Sequence, residues 1–340
     1  MRIYLRAKGG LAYGWGHIIR SLTLAGYLDC ADEIERVIWG VEGDSVVERF
    51  VGGKAIPHNF LSEGQAFDEE RKLLEGFKPD VILVDMLEIP REMLRAFREL
   101  CSVLVLFNDL GLSYELGDLI VCPQLLERYP QSGKGQRLLK GTDFFLLSDD
   151  IRAFIEAADG EESKKIPERL FVIMGGCVNR PVFEKVTAIV ENLSDLELAV
   201  DFVVGYDLDV DIEQYRGWEE KGVRFIPGSE KIGDLMAGAD LALASSGYVK
   251  YELAALGVPT ILVSVVDHQE VLGRFFAQKG KCAEYVGPIL ETPSEEIAES
   301  IRKMAGDWGR RRSLAKVGRK LVDGLALERI KENILCQVRN

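Results

Sequence analysis

Short apolar runs alternate along this chain with longer stretches in which apolar residues recur at helical spacing. Val81–Val84 and Val103–Phe107 are nearly continuous apolar runs, whereas Ile18, Leu22 and Ala25 recur on one helical face. Continuous apolar strands between amphipathic helices are typical of parallel sheets that helices cover on both faces. The first half predicts strands at Arg2–Arg6, Arg36–Gly40, Val81–Val84, Val103–Phe107, Leu119–Cys122 and Phe144–Leu147. It predicts later helices at Ser45–Val51, Asp68–Phe77, Arg91–Leu100 and Asp149–Ala157.

The same alternation restarts after a polar stretch, Asp159–Lys165, whose glycine and charges are typical of a linker. Strands are predicted at Leu170–Met174, Leu198–Val204, Val223–Ile226, Leu241–Ala244, Thr260–Val263 and Cys282–Tyr285. Helices are predicted at Val182–Leu193, Ile232–Ala237, Val249–Leu256, Gln269–Lys279 and Glu295–Met304. We therefore expect an α/β architecture with two doubly wound, Rossmann-like domains, residues 1–158 and 166–309, facing each other across a cleft. Residues 310–340 are expected to form helices, and whether they return to the first domain is left open.

Composition narrows the class of protein. The 340 residues are 47% hydrophobic and 29% charged, as in a soluble protein large enough for two domains. A net charge of −13 argues against a nucleic-acid partner. No signal-peptide pattern and no apolar run of membrane-spanning length is present, so we expect a cytoplasmic protein. The six cysteines form no Cys-x-x-Cys pair and there are three histidines, which argues against a zinc site or disulfide framework.

The glycine-rich stretch Gly9–Arg20 lies between the first predicted strand and the first helix. In open α/β sheets such a turn lies at the carboxyl end of a strand, where ligands bind, and a helix start favours an anion. His17 is the titratable group at this turn, which makes it a candidate general base. A helix-cap histidine satisfied by a neighbouring carboxylate is the structural alternative. Arg20 shares a helical face with His17 and is expected either to bind substrate or to pair with an acid.

Two strand-to-helix turns in the second half are candidate phosphate sites. Gly175 and Gly176 follow a strand, so their amides can approach a phosphate closely, although a tight turn is the simpler interpretation. Ser245, Ser246 and Gly247 also follow a strand and precede a helix. This second turn combines the elements of a phosphate cradle, and a serine that merely caps the helix is its alternative.

Polar side chains beside these turns are further candidates. Glu252 lies about one turn into the helix after the second turn, where it either accepts hydrogen bonds from two ribose hydroxyls or favours the helix dipole. Asp267 is a candidate helix cap that needs no further function. His268 and Gln269, which open the same helix, are expected to face the cleft.

Together these motifs resemble the UDP-sugar hydrolase of pseudaminic acid biosynthesis and its spore-coat polysaccharide relatives. Matching segments extend over nearly the whole chain, at Leu5–Gly10, Gly14–Arg20, Phe107–Asp109, Met174–Gly176, Ser245–Gly247, Tyr251–Leu253, Leu256–Pro259 and Asp267–Gln269. The resemblance implies the two-domain GT-B fold, shared with the N-acetylglucosaminyltransferase that makes lipid II. It implies that His17 is the catalytic base and that the second domain holds UDP. The residues implied to hold UDP are Gly175, Gly176, Ser245, Ser246, Gly247 and Glu252.

The sugar side is expected to involve polar groups of both domains. The candidate substrate-binding residues are Gly16, Arg20, Asp85, Asp109, His268 and Gln269. Asp85 and Asp109 each end a predicted strand, and orienting His17 is the alternative role for either carboxylate. His17 would take a proton from the attacking group, with inversion at the anomeric carbon in a single displacement. We expect helix starts to stabilise the diphosphate, without metal or cofactor.

The sequence departs from the family pattern near the sugar and the diphosphate. Lys8 stands where the hydrolases have an acidic residue, and Met86–Glu88 stands where they have a His-Tyr-Gly type segment. Cys177 and Val178 replace a Thr-Asp pair, and His268 replaces an asparagine. The main expectation is hydrolysis of a UDP-activated amino or deoxy sugar in surface-polysaccharide or nonulosonic acid biosynthesis. The alternative is an inverting glycosyltransferase that uses an alcohol acceptor, and a transferase of this kind is compatible with peripheral membrane contact. A third hypothesis is a non-catalytic protein that binds a UDP-sugar.

Overall fold

The chain divides into two compact units, each with its own sheet. The computed structural model describes residues 1–10, 13–62, 67–107, 116–157, 164–175, 179–205, 210, 212–227 and 232–339. The first unit comprises Met1–Ser148 and Gly324–Asn340, and the second comprises Asp149–Asp323. Among the described helices, none combines the length and the apolarity needed to cross a membrane.

The first unit contains a seven-stranded sheet in the order β3-β2-β1-β4-β5-β6-β7, with every neighbouring pair parallel. The strands are β1 (Arg2–Lys8), β2 (Arg36–Gly43), β3 (His58–Ser62), β4 (Val81–Asp85), β5 (Val103–Phe107), β6 (Leu119–Cys122) and β7 (Arg137–Lys140). The helices of its first segment are α1 (Gly16–Asp29), α2 (Ser45–Gly52), α3 (Phe67–Phe77) and α4 (Arg91–Leu100). Because β1 and β4 are neighbours, the ends of these two strands lie side by side, with Ala7 opposite Asp85.

The second unit contains a six-stranded parallel sheet in the order β10-β9-β8-β11-β12-β13. Its strands are β8 (Arg169–Ile173), β9 (Ala199–Val204), β10 (Val223–Pro227), β11 (Leu241–Ser245), β12 (Thr260–Ser264) and β13 (Ala283–Pro288). Its helices are α5 (Asp149–Ala157), α6 (Arg180–Glu191), α7 (Ile232–Ala237), α8 (Val249–Leu256), α9 (Asp267–Phe275), α10 (Ser294–Gly306) and α11 (Trp308–Leu321). The prediction of two doubly wound α/β sheets is confirmed.

The last two helices belong to different units. Helix α11 packs on α8, whereas the final helix α12 (Ala326–Arg339) packs on α1 and β5. Leu327, Ile330 and Ile334 of α12 are buried in the core of the first unit. The chain thus returns to complete the first core. Helix α5, whose residues the sequence analysis assigns to the first domain, packs on α7 and α8 in the second unit.

Three segments differ from the predicted secondary structure. Strands β3 and β7 lie at the two edges of the first sheet and were not predicted. His58 begins β3 and is exposed. The apolar run Phe144–Leu147 is not a strand: Thr142–Phe144 form a single 3-10 turn and Phe145–Leu147 continue without regular structure. The side chains of Phe145–Leu147 are nevertheless buried, so core packing accounts for their apolar character.

Candidate active site

A closed glycine loop connects β1 to α1. Gly10 and Gly14 exchange two backbone hydrogen bonds, with N···O distances of 3.1 and 2.7 Å. Both have positive φ, +130° and +81°, which favours glycine. At Gly10 a Cβ would also lie 2.5 Å from Asp44 Oδ2, so the Asp44 side chain would have to move. The loop delivers the chain to Gly16, the first residue of α1, and so places His17 in the first helical turn.

His17 is hydrogen-bonded to the carboxylate that ends the neighbouring strand. The distance from His17 Nδ1 to Asp85 Oδ1 is 2.7 Å. Both residues are almost fully buried, with 4% of His17 and 1% of Asp85 exposed. The adjacency of β1 and β4 therefore brings together two candidate residues that are 68 positions apart in sequence.

Arg20 holds the other side of the same carboxylate. Its Nε donates to Asp85 Oδ2 at 2.7 Å, and its Nη2 donates to Oδ1. The guanidinium carbon lies 4.8 Å from the centre of the Phe107 ring. Burial alone would raise the pKa of Asp85, but the charges of Arg20 and His17 hold this pKa at about 2. Asp85 is consequently an anion at any ordinary pH, and Arg20 takes the acid-pairing role that the sequence left open.

The contacts of Nδ1 decide which nitrogen of His17 can accept a proton. Arg20 Nη2 lies 3.4 Å from Nδ1, but arginine carries only donors and competes poorly with the 2.7 Å contact to Asp85. With Asp85 ionised, the neutral imidazole carries its proton on Nδ1 and donates it to the carboxylate. The lone pair then lies on Nε2. This is the arrangement in which a carboxylate fixes the tautomer of a histidine base.

Lys8, the residue that reverses the charge expected from the family pattern, has an acidic partner. Its Nζ lies 2.9 Å from Glu42 Oε1 and 4.3 Å from the centre of the Tyr13 ring. Glu42 also pairs with Arg6, which in turn pairs with Glu70. Lys8 therefore extends a charge network across β1 and β2. Met86 of the second departure is buried in an apolar cluster of the same unit.

In the second unit, the ends of β8 and β11 place Gly175 beside Ser245. Gly175 has a φ of +84°, and a Cβ there would lie 3.6 Å from Ser245 Oγ. Ser245 is 1% exposed, and its hydroxyl makes no hydrogen bond with another described residue. The two candidate turns are thus adjacent, with a buried polar group directed between them. Gly176 lies outside the described residues.

Residues of β12 and α9 contact the turn at residues 245–247. Both the N–H and the hydroxyl of Ser246 donate to Val263 O, at 2.8 and 2.9 Å. Gln269 Oε1 accepts from the Val265 N–H at 3.1 Å. This contact leaves Gln269 Nε2 3.7 Å from the Cβ position of Gly247. The Gln269 amide is therefore a donor beside the turn.

Two titratable side chains on the helices α8 and α9 have shifted pKa values. Burial and the negative charge of Asp150 raise the pKa of Glu252 to about 7. Glu252 makes no hydrogen bond with another described residue, so its carboxylate can receive donors from a ligand. His268 is exposed, and its pKa is lowered by partial burial and by the charge of Lys250. His268 is therefore predominantly a neutral imidazole at pH 7.

The structure adds one residue to this site and leaves another candidate undescribed. Lys250, in the first turn of α8, is 1% exposed and contacts the turn at residues 245–247. Its sequence signal is a cation at a helix N-terminus, where the helix dipole disfavours positive charge. Asp109 lies outside the described residues. The candidate residues thus form two groups, each within its own unit. His17, Asp85 and Arg20 lie in the first unit, and the candidate phosphate-binding turns lie in the second.

The fold is that of the GT-B glycosyltransferases. MurG of Acinetobacter baumannii superposes with a TM-score of 0.67 at 14% identity, covering 98% of this chain and 99% of that one. A UDP-glucosyltransferase from Polygonum tinctorium reaches a TM-score of 0.70 at 14% identity over 100% and 98% of the two chains. A UDP-GlcNAc 2-epimerase from Neisseria meningitidis reaches 0.65 at 12% identity over 98% and 100%. Identities this low define the fold, which transferases and epimerases share.

In sequence, the chain is similar to the spore coat polysaccharide biosynthesis protein SpsG of Bacillus subtilis. The two are 26% identical over 338 residues, which is 97% of this chain and 96% of SpsG. An uncharacterised protein of Methanocaldococcus jannaschii is 23% identical over 276 residues, but the match spans only 55% of its length. No protein-family profile matches the chain.

Proposed function

We propose that this protein is an inverting glycosyltransferase that takes a sugar from a UDP-sugar donor to an alcohol acceptor in surface-polysaccharide synthesis. The carrying observation is the buried 2.7 Å hydrogen bond between His17 Nδ1 and Asp85, which leaves Nε2 as the proton acceptor. The similarity to SpsG supports the polysaccharide context, and the GT-B fold supports nucleotide-sugar chemistry.

The second unit supplies the donor site in this proposal. Backbone N–H groups at the turn at residues 245–247 and at the start of α8 face the diphosphate, since helix starts carry unpaired donors and positive potential. Gly175 lets the first turn approach closely because it has no Cβ. Glu252 accepts hydrogen bonds from the ribose hydroxyls, for which it has no competing partner among the described residues. Gln269 Nε2 adds a donor beside Gly247.

The first unit supplies the base. His17 Nε2 takes the proton of the acceptor hydroxyl as its oxygen bonds to the anomeric carbon, and the bond from that carbon to the diphosphate oxygen breaks. UDP leaves with the bonding electrons, and the carbon inverts. Asp85 stabilises the imidazolium that forms, because it stays ionised with a pKa of about 2. Arg20 keeps Asp85 in place rather than touching the sugar.

Transfer is preferred to hydrolysis for two reasons. Of the three solved structures described above, one is named as a UDP-glucosyltransferase and none is named as a hydrolase. Two of the positions at which the chain departs from the hydrolase pattern are also integrated into this structure, because Lys8 pairs with Glu42 and Met86 packs in the core. Both reactions use the same base, so the difference is whether water or an alcohol reaches Nε2.

The test is to incubate the protein with a panel of UDP-sugars, including UDP-linked diacetamido-trideoxyhexoses, and to follow UDP release with and without alcohol acceptors. We expect release that depends on an acceptor and is unchanged by EDTA. Rapid release in water alone would replace transfer by hydrolysis. Tight UDP binding without cleavage under any condition would favour a binding protein and contradict both reactions.

A further inference from the structure

Lys250 is a buried lysine directly behind the proposed diphosphate turn. It is 1% exposed, although lysine is among the residues least often buried. Its ammonium group lies 4.5 Å from the centre of the Tyr251 ring and 5.7 Å from that of Phe276. Both rings are fully buried. Burial of an ammonium group in such surroundings costs free energy unless the group makes specific contacts. The contacts of Lys250 therefore indicate its role.

Those contacts are with the backbone of the turn itself. Lys250 Nζ donates to Ser246 O at 2.8 Å and to Gly247 O at 2.9 Å. In a trans peptide the C=O group and the following N–H point in opposite directions. The two carbonyls point towards Nζ, so the N–H groups of Gly247 and Tyr248 point away from Lys250. The Gly247 N–H makes no hydrogen bond with another described residue, as an anion-binding donor requires.

The charge of Lys250 acts in the same direction. An ammonium group in the first turn of α8 adds a full positive charge to the partial charge of the helix N-terminus. Its low exposure reduces screening by solvent and excludes direct contact with a ligand in solution. The neighbouring His268 responds to this charge, which contributes to lowering its pKa. The charge of Lys250 therefore acts on a side chain in the first turn of α9 as well.

We propose that Lys250 is the positioning residue of an anion-binding turn at residues 245–247. Its hydrogen bonds to two carbonyl groups orient the turn, and its positive charge favours an anion there. Lys250 itself does not touch the ligand. The inference rests on the proposed function, because it takes the diphosphate of a UDP-sugar as the anion. Ser245 supports the same site independently. Ser245 is 1% exposed, its Oγ lies 3.6 Å and 3.7 Å from the Cβ positions of Gly175 and Gly247, and it has no hydrogen-bond partner among the described residues.

The test compares UDP with uridine on the full chain, by calorimetry for UDP and by ligand-observed NMR titration for uridine. In Lys250→Met, which keeps the length but removes the charge and the donors, we expect UDP affinity to fall about 10- to 100-fold. Uridine affinity should change less than about threefold, because uridine carries no phosphate. Lys250→Gln, which keeps a donor without the charge, should fall between the wild type and Lys250→Met. Lys303→Met removes an exposed lysine of the same unit and should change neither affinity.

Each outcome has a separate meaning. A folded Lys250→Met or Lys250→Gln variant that loses UDP and uridine affinity equally, or neither, would overturn the proposal. Failure of both variants to fold would also overturn it, because Lys250 would then support the core rather than the turn. Absence of UDP binding in the wild type would instead refute the proposed function.

Discussion

At the scale of single residues, the site depends on one buried carboxylate with two partners. Asp85 accepts from Arg20 and from His17, and these contacts overcome the burial that would otherwise neutralise it. A buried ion pair of this kind is weak support for stability but strong support for orientation. The first unit therefore fixes the tautomer of His17 before any substrate arrives.

Removal of the Asp85 charge should affect both stability and turnover. In Asp85→Asn, Arg20 keeps its charge in a buried site without its anion, which costs about 3 to 5 kcal/mol. The tautomer of His17 is no longer fixed, so kcat should fall about 10²- to 10⁴-fold. Urea unfolding and steady-state kinetics check both expectations. Asp195→Asn, which removes an exposed carboxylate paired with Arg302, is the control and should change neither by much. Full activity in Asp85→Asn would refute the orienting role.

Glu252 should make nucleotide binding depend on pH. Its pKa of about 7 means that the group is largely protonated at pH 6 and largely ionised at pH 8. Ribose hydroxyls donate to the ionised form, so binding favours loss of the proton and UDP affinity should rise across this range by up to about tenfold. Calorimetry at several pH values measures it. The β-phosphate of UDP titrates near pH 6 as well, so Glu252→Gln isolates the carboxylate contribution. An identical pH profile in that variant would contradict the assignment.

At the scale of elements, the sequence predicts central strands well and edge strands poorly. Val81–Val84 and Val103–Phe107 are buried on both faces, and such strands are continuous apolar runs. The edge strands β3 and β7 include exposed polar residues and lack this signal. His17 and Asp85 were both predictable as strand-end groups. Their contact is one of the alternatives that the sequence left open, because the choice between Asp85 and Asp109 depends on β4 lying beside β1.

The sequence also did not predict a role for Lys250, and the physical reason is similar. A lysine in a helical segment normally extends to solvent, and neither its burial nor its backbone contacts are encoded in local periodicity. They depend on Phe276, which follows α9 and packs over Tyr251 with a ring distance of 4.9 Å. The sequence thus identifies candidate residues at the strand ends, whereas the contact of Lys250 with the turn at residues 245–247 can be identified only from the structure.

The packing of α9 against the turn at residues 245–247 gives a prediction about an element. A Cβ at Gly273 would lie 2.7 Å from Ser246 Cβ, so Gly273→Ala must move α9 or the turn. We expect a loss of about 1 to 3 kcal/mol in stability, with weaker UDP binding in the folded fraction. Thermal unfolding and calorimetry measure the two effects. Gly306→Ala, where no atom lies within 4 Å of the new Cβ, is the matched control. Unchanged stability in Gly273→Ala would contradict the close packing.

At the scale of the whole molecule, the proposed function divides its residues between the two units. The proposed base and its supporting carboxylate lie in the first unit, and the proposed donor elements around Ser245 and Glu252 lie in the second. The first unit is not continuous in sequence, because α12 returns from the second unit to bury Ile330 and Ile334 in its core. Both units are therefore needed for turnover, while nucleotide binding depends on the second alone in this account.

The most direct measurement compares wild type and His17→Asn for turnover of the UDP-sugar that the panel identifies and for UDP affinity. Asparagine keeps a donor near the position of Nδ1 for Asp85 but offers no base at the position of Nε2. The account predicts that kcat falls about 10²- to 10⁴-fold while UDP affinity changes less than about threefold. Turnover retained in a folded His17→Asn protein would contradict the assignment of His17 as the base.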